Sequence, residues 1–325
     1  MKKSTTLFLA SGMLLCTVCS CSKKNSPQPE IEPVEVLRLT AFTVDYEDNN
    51  SHYNEETRFH YNSDHFLSSY QTGEDIREMR YDEQGRIIQN GNMTYTYNDR
   101  GQIAQIDEDP GEDYLGNYSE IKSTYTYNNK ELPTESTVVI TGRDGSYTTT
   151  VTRQFAYDED DRLISIVEHR PGGGTNYRTA LRYDTNDNIA EIKRESSNDP
   201  TFPEDNTQTY IHTYTYDYKQ NPRYVYLQRM GVDMRLSLVY TIPMGLTQPL
   251  ESNTFHRVNY CTPNNILSSV TTLSTGMVSS TYTFAYEYNE EGYPVSAERT
   301  ETSGPSYMRK RYYSWDYEVS MTNGQ

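Results

Sequence analysis

Aliphatic residues are sparse in this chain of 325 residues, and cysteine is nearly absent from its body. Of four cysteines, Cys16, Cys19 and Cys21 crowd the N-terminus, and only Cys261 lies elsewhere. No intramolecular disulfide is expected, and Cys261 is read as a small packed residue in a strand-like stretch beginning at Val258. Basic residues are outnumbered, 29 against 46 acidic. The net charge of −17 repels nucleic acid and anionic lipid headgroups instead of seeking them. Catalytic signatures are missing as well: there is no G-x-S-x-G, no H-E-x-x-H and no P-loop. Carboxylate pairs for glycosidase chemistry are available in quantity among 46 acids, but nothing singles two of them out. No stretch beyond the N-terminal region reads as a helix. An enzyme is not expected, and neither is a cofactor.

The N-terminus has the three parts of a secretory leader. Lys2 and Lys3 supply the positive charge, and Leu7 to Leu15 form an apolar run too short for the roughly 20 residues that span a bilayer. Cys21 has the setting of a lipidated cysteine, with a branched aliphatic three residues before it (Val18) and a small residue immediately before (Ser20). Cys19 occupies the middle position, where Ala, Ser or Thr is usual. The expected organisation is a signal peptide over 1–20, a lipidated Cys21 with its tether over 21–35, and one domain over 36–320. The partner is then the membrane itself, reached through acyl chains, since several chains hold where one is marginal. The tether of roughly a dozen residues reaches at most ~40 Å at ~3.3 Å each.

What the chain has in abundance is tyrosine, 31 residues, set in a recurring pattern that argues against disorder. An alternating strand ends in Tyr, then come Asn or Asp, a short turn, and a strand opening on an aliphatic. The clearest copies begin at Tyr81, Tyr97, Tyr157 and Tyr183; looser ones begin at Tyr61, Tyr127, Tyr216, Tyr260 and Tyr288. Each reads as a β-hairpin. The Asn or Asp can close an Asx-turn, and Gly85, Gly101, Asp161 or Asp187 can take the φ > 0 position. Strands such as Thr94-Tyr95-Thr96-Tyr97 alternate as half-buried strands do. Several copies place aliphatics six and nine residues after the tyrosine, as in Ile103 with Ile106, Leu163 with Ile166, and Ile189 with Ile192. Those offsets have opposite parity, so the two share a face only if the strand bulges; otherwise both faces are partly covered. The expected fold class is all-β: an antiparallel meander of about 16 to 20 strands making a large curved sheet or a barrel. The least repeat-like stretch, Thr241 to Glu251, is either a seam between two sheets or a long loop.

These Tyr-Asp/Asn-x-x-Gly-x-Ile/Leu units resemble the YD repeats of the Rhs and teneurin proteins, which build a spiralling β-sheet shell. The leader, lipidation motif, tether and irregular Tyr-rich hairpins together resemble Bacteroidetes lipoproteins of unknown function with a porin-like β fold, over about residues 35 to 320. That resemblance implies a shape and no activity. A soluble barrel is expected instead of a membrane-spanning one, because the alternating partners are Thr, Ser, Gln, Arg and Glu. Ser22-Lys23-Lys24-Asn25 lacks the acidic cluster that resembles a surface-export signal in such lipoproteins, and no Asp follows Cys21. The expected address is the outer membrane, on its periplasmic side.

Candidate sites are few. His52, His60 and His65 with Asp64 match no compact metal-ligand spacing and are read as scattered surface residues. The acidic run Asp107 to Asp113 lacks the ordered spacing of a calcium loop. Pro171 to Gly174 is read as a hairpin connection, not a phosphate cradle, because no helix follows it. Repeat tyrosines are expected to stabilise the sheet through cross-strand pairs. Tyrosines outside the repeat position (Tyr224, Tyr226, Tyr312, Tyr313 and Tyr317, with Trp315) are the better candidates for stacking on a sugar or seating a peptide. The expected role is a non-catalytic envelope lipoprotein that binds a glycan or peptide; the alternative is a structural partner of another envelope component.

Overall fold

The computed structural model describes residues 33–48, 51–109, 118–143, 145, 147–171, 174–203, 207–229, 236, 238–239, 258, 261–303 and 307–323. Its first half runs β1 (Pro33–Asp48), β2 (Ser51–Tyr61), β3 (Leu67–Thr72), β4 (Asp75–Tyr81), β5 (Ile87–Asn90), β6 (Met93–Tyr97), β7 (Ile103–Glu108), β8 (Tyr118–Tyr127) and β9 (Pro133–Gly142). Then come β10 (Thr148–Tyr157), β11 (Leu163–His169), β12 (Asn176–Tyr183), β13 (Ile189–Ser197), β14 (Gln208–Gln220) and the short helix α1 (Pro222–Arg229). The chain finishes with β15 (Asn264–Leu273), β16 (Val278–Tyr288), β17 (Pro294–Ser303) and β18 (Tyr307–Asn323). Every strand pairs antiparallel with its neighbour in sequence, and β18 pairs with β1. The result is one closed barrel of 18 strands.

Six of the described repeats, those at Tyr61, Tyr81, Tyr97, Tyr127, Tyr157 and Tyr183, close their hairpins in the same way. The Asn or Asp after the tyrosine accepts two backbone N–H groups, two and four residues on. Asn128 Oδ1 takes those of Lys130 and Leu132 at 2.9 and 3.0 Å, and Asp158 Oδ1 those of Asp160 and Arg162 at 3.1 and 2.9 Å. The turn residue at positive φ is Gly at 85 (φ 75°) and 101 (φ 78°), but Glu131, Asp161 and Asp187 adopt φ of 66°, 61° and 62°. The parity conflict is resolved by a bulge in every described copy. Tyr157 pairs with Leu163 while Ala156 pairs with Ser165, and the same shift occurs between Arg182 and Tyr183. Leu163, Ile166, Ile189 and Ile192 are accordingly all buried on one face.

The tyrosine also ties its hairpin to the preceding one. Its hydroxyl donates to the carbonyl of the strand-opening residue one hairpin back: Tyr81 to Leu67 (2.9 Å), Tyr97 to Ile87 (2.7 Å), Tyr183 to Leu163 (2.8 Å) and Tyr216 to Ile189 (2.7 Å). A residue with a large apolar ring and a polar tip suits this double task, since the ring fills the core while the hydroxyl reaches backbone. All these turns lie at one end of the barrel, the Asx end.

A long insertion interrupts one repeat. Between Tyr216 and its partner Ile266 lies a segment that includes α1, yet the turn chemistry survives, with Asp217 Oδ1 accepting from Lys219 N (3.0 Å) and Asn265 N (3.1 Å) across the gap. Arg223 of α1 sits over the Phe42 ring of β1 at 4.4 Å. Val239 and Val258 join the buried cluster that holds Met93, Ile106, Phe155, Leu181 and Ile192. The described residues of this segment, which meet β1 through Arg223 and the buried cluster of β6 to β13 through Val239 and Val258, lie inside the ring. The buried face is therefore the inner face.

The described helix α1 departs from the all-strand expectation, and so do Val258 and Cys261, which are helical where a strand-like stretch was expected. All three lie in the insertion between β14 and β15, of which no described residue pairs with a strand. Thr241 to Glu251 and Tyr260 lie outside the described residues.

Candidate functional site

Going inward from the Asx end, the inner face changes character. The repeat tyrosines and their aliphatic partners come first, then a row of mostly apolar side chains such as Met79, Tyr125, Phe155, Leu181 and Tyr214. Beyond that row the face turns polar and charged, with Arg153, Glu168, Arg194, His212 and Arg299 all buried. Arg153 Nε donates to Glu168 Oε2 at 2.9 Å, and Arg170 Nη2 to the other carboxylate oxygen at 3.0 Å. Burial disfavours the charged Glu168, but the two guanidiniums outweigh it and hold its carboxyl below the usual range. Burial, and then Arg194, push the His212 imidazole down to about 4; its Nδ1 lies 3.0 Å from Thr271 Oγ1. Arg153 Nη2 and His212 Nε2 have no hydrogen-bond partner among the described residues.

One patch of this inner face stands out, on β16, β17, β18 and β1. Arg299 of β17 is directly opposite Arg311 of β18, and Arg311 is opposite Tyr46 of β1. One step toward the far end, Tyr282, Glu301 and Arg309 form a second row. Arg309 and Arg311 both lie over the Tyr46 ring, at 4.4 and 4.8 Å from its centroid. Arg299 lies over Tyr282 at 4.8 Å and pairs with Glu301 at 3.1 Å. The neighbouring acid on β2, Glu55, accepts a 2.6 Å bond from Tyr53, which pushes that phenol up to about 12. Arg299 is buried, while Tyr46, Tyr282, Arg309 and Arg311 keep part of their surface in solvent. The patch thus has a buried guanidinium floor and a partly open rim. The turns around this far end carry exposed apolar residues, notably Ile76 (61%), Met277 (59%) and Met308 (68%).

The candidate tyrosines separate. Tyr313, Trp315 and Tyr317 point inward: Tyr313 and Trp315 are buried in an aromatic cluster with Leu39 and Phe42, and Tyr317 donates to Pro294 O at 2.8 Å. Tyr312 is on the outer face, half exposed. Tyr224 is half-buried on α1; Tyr226 is on the same helix, but its side chain lies outside the described residues, and so does Cys21. His52 pairs with Asp45 at 2.7 Å, whereas His65 is a turn residue with φ 69°. Among the described residues no group of three or more His, Cys, Asp or Glu could hold a metal ion. Of the acidic run, 110–113 lie outside the described residues. Reading the chain for tyrosines missed the arginines. Their signal is parity: Arg153 stands four before Tyr157, on the inward set of its strand.

No family model matches the chain, and no curated protein does. Solved structures do. The chain is similar to porin-like proteins of Bacteroides. One, from Bacteroides uniformis ATCC 8492, shares 16% identity at a TM-score of 0.44, over 86% of this chain and 96% of that one. Another, from Bacteroides vulgatus ATCC 8482, shares 11% at 0.44, over 87% and 99%. The Tc holotoxin pore of Photorhabdus luminescens matches at 13% and 0.30, over 79% of this chain but 15% of that one. At such scores the likeness carries no argument; the closed barrel rests on its own strand register.

Proposed function

We propose that this is a non-catalytic lipoprotein of the outer membrane, facing the periplasm, that stands clear of the bilayer as a water-facing barrel and binds a glycan inside its far end. The observation that carries the reading is the inner patch of β16 to β1, where tyrosine rings and guanidiniums lie side by side below a partly open rim. Rings supply faces for sugars, and guanidiniums supply a planar array of donors for their oxygens.

The outer face supports a barrel in water. Its rows run through Thr124, Thr137 and Thr152, and it carries the ion pairs Arg182–Glu191 (3.1 Å), Lys310–Glu298 (2.6 Å) and Lys122–Asp107 (3.7 Å). A lipid-facing Arg or Lys at the midplane costs roughly 2–4 kcal/mol, and these strands carry several. The address rests on the lipidation motif at Cys21 and on the residues after it. Strand geometry agrees with such an anchor. Tyr61 reaches Leu39 O at the Asx end, and β1 continues N-terminally from there as a ribbon with β18, from Arg38 back to Pro33. The ribbon is about 20 Å long at ~3.3 Å per residue, and the described chain begins at its Asx-end terminus, Pro33, opposite the rim.

A second reading, a structural partner of another envelope component, is favoured by the exposed Ile76, Met277, Val278 and Met308 around that rim. Glycan-array binding by the leaderless barrel, purified without detergent, tests the first reading. Bound carbohydrate from a monodisperse, detergent-free protein is expected. A protein that stays soluble only in detergent would overturn the water-facing barrel, and a blank array would favour the second reading. Mass spectrometry of the native N-terminus checks diacylglycerol on Cys21.

A further inference from the structure

We infer that the barrel is a blind cup and not a conduit: the insertion between β14 and β15 is a fixed floor that closes the Asx end. The inference holds whether the barrel binds a glycan or serves another envelope component.

Ring size sets the problem. Eighteen strands ~4.8 Å apart make a circumference of about 86 Å and a mean diameter of about 27 Å before any tilt is added. Facing sheets fill the space between them only at ~10 Å. A ring of this width stays open down its axis unless a third layer stands between its walls.

The described residues of the insertion are that layer. On one side, Arg223 of α1 lies over Phe42 of β1 at 4.4 Å, against the aromatic cluster of Tyr313 and Trp315. On the other, Val239 and Val258, both 1% exposed, belong to the cluster of Met93, Ile106, Phe155 and Ile192. The apolar groups of the wall form a continuous belt around this layer. Phe284 packs against both of those clusters, Phe59 joins the aromatic one to the cluster of Leu67, Met79 and Ile87, and Tyr95 joins that third cluster to the one of Met93. An apolar belt with an apolar layer across it excludes water and polar solutes at this level.

The floor is also latched where it enters the ring. Asn221 N–H donates to Pro263 O at 2.8 Å and its side-chain amide to Thr262 O at 3.0 Å, which closes the insertion into a loop. Asn264 N–H donates to Asn188 Oδ1 and Asn188 Nδ2 to Asn264 Oδ1, both at 3.0 Å, tying the loop to the turn between β12 and β13. Asn188, Asn221 and Thr262 are all almost fully buried. Opening this neck would leave buried amides without partners, which is costly for each one. The insertion is a floor, not a gate.

The sole tryptophan reports on it, because Trp315 is 7% exposed and its ring is 5.6 Å from that of Phe42, on which Arg223 rests. The test measures collisional quenching of Trp315 by acrylamide in the leaderless chain and in a variant with 222–262 replaced by a short Gly-Ser linker. The 2.8 Å bond between Asn221 and Pro263 means that such a linker spans the neck. Quenching of the parent well below that of N-acetyltryptophanamide is expected, with a several-fold rise in the variant. Parent quenching near the free value, or no rise in a variant that keeps its sheet by circular dichroism, overturns the inference. Should the variant fail to fold, hydrogen exchange of the parent decides. The amides of Asn221 and Val225, bonded to Pro263 O and Asn221 O, are expected to exchange as slowly as those of β14. Exchange within seconds would mean a loose insertion and overturns the floor. Conductance steps on adding the parent to a planar bilayer would overturn it as well.

Discussion

Replacing His212 with glutamine measures how dry the inner face is. The ring is 6% exposed on β14, with Arg194 nearby on β13, and burial first and that guanidinium second lower its pKa from 6.5 to about 4. The unfolded chain takes up the proton below about pH 6.5, and the native protein does so only near 4. In that window the unfolded state binds more protons, so stability falls as the pH falls. At about 1.4 kcal/mol per pH decade, this one imidazole removes about 2 kcal/mol by pH 5 and about 3 kcal/mol by pH 4.

Glu108 works in the opposite sense. Burial raises it to about 6 against the pull of Arg77, so the native protein takes up that proton first and gains stability between about pH 6 and 4.5. A pH profile of the parent alone therefore mixes two contributions. The difference between parent and His212→Gln cancels Glu108. Urea unfolding of both proteins at pH 7.5, 6, 5 and 4 gives that difference from the midpoints and m values. At pH 7.5 the variant should be the weaker by about 1 kcal/mol, from a lost contact and an imperfect replacement for the bond to Thr271. By pH 4 the order should reverse, with the variant more stable by about 2 kcal/mol. A difference that stays constant from pH 7.5 to 4 would refute a desolvated imidazole, and with it a dry inner face at this level.

Glu168→Gln leaves Arg153, 1% exposed, without its carboxylate and should cost about 3 kcal/mol at neutral pH, read by urea unfolding. The R153M/E168L double change should recover most of that loss. Because the Glu168 pKa is held down in the folded protein, the parent keeps this contribution above about pH 4.5 and loses it in more acidic solution. Tyr183→Phe removes the 2.8 Å bond to Leu163 O and keeps the ring, for a loss of about 1 kcal/mol; an unchanged midpoint would mean that water replaces the hydroxyl. Glu131→Gly relieves a left-handed residue at φ 66° and should stabilise the fold by about 0.5 kcal/mol after the flexibility gained by the unfolded chain is deducted, read as a slight rise in the thermal midpoint.

Much of this architecture was legible in local residues, because each hairpin carries its own instructions. An Asn or Asp after tyrosine announces two backbone N–H acceptances, as at Asn98 with Arg100 and Gln102. Aliphatics at six and nine after the tyrosine left two outcomes, and the bulge between Thr96 and Tyr97 decides between them. Closure was not legible. Nothing in β1 or β18 advertises that Leu39 will lie opposite Tyr317, because strand pairing across the whole chain length has no local signature. The insertion after Tyr216 was invisible for a related reason. Its Asx partner, Asn265, stands 48 residues from Asp217, so the turn cannot be recognised until both ends are brought together.

The arginine patch belongs with closure. Arg299 and Arg311 lie twelve positions apart in sequence and become opposed neighbours only through the register of β17 on β18. Tyr46 joins them only because the ring closes. Read in isolation, each arginine in an alternating strand could point to either face, and solvated charge is the ordinary outcome. Closure converts the inward half of those positions into a confined space. There the charges are partly desolvated, and Arg299 is offset by its 3.1 Å pair with Glu301. Apolar rows near the Asx end hold the barrel together, including Leu163, Ile189 and Ile266, all fully buried. The far end is relieved of that duty. A barrel stabilised at one end can tolerate opposed guanidiniums at the other.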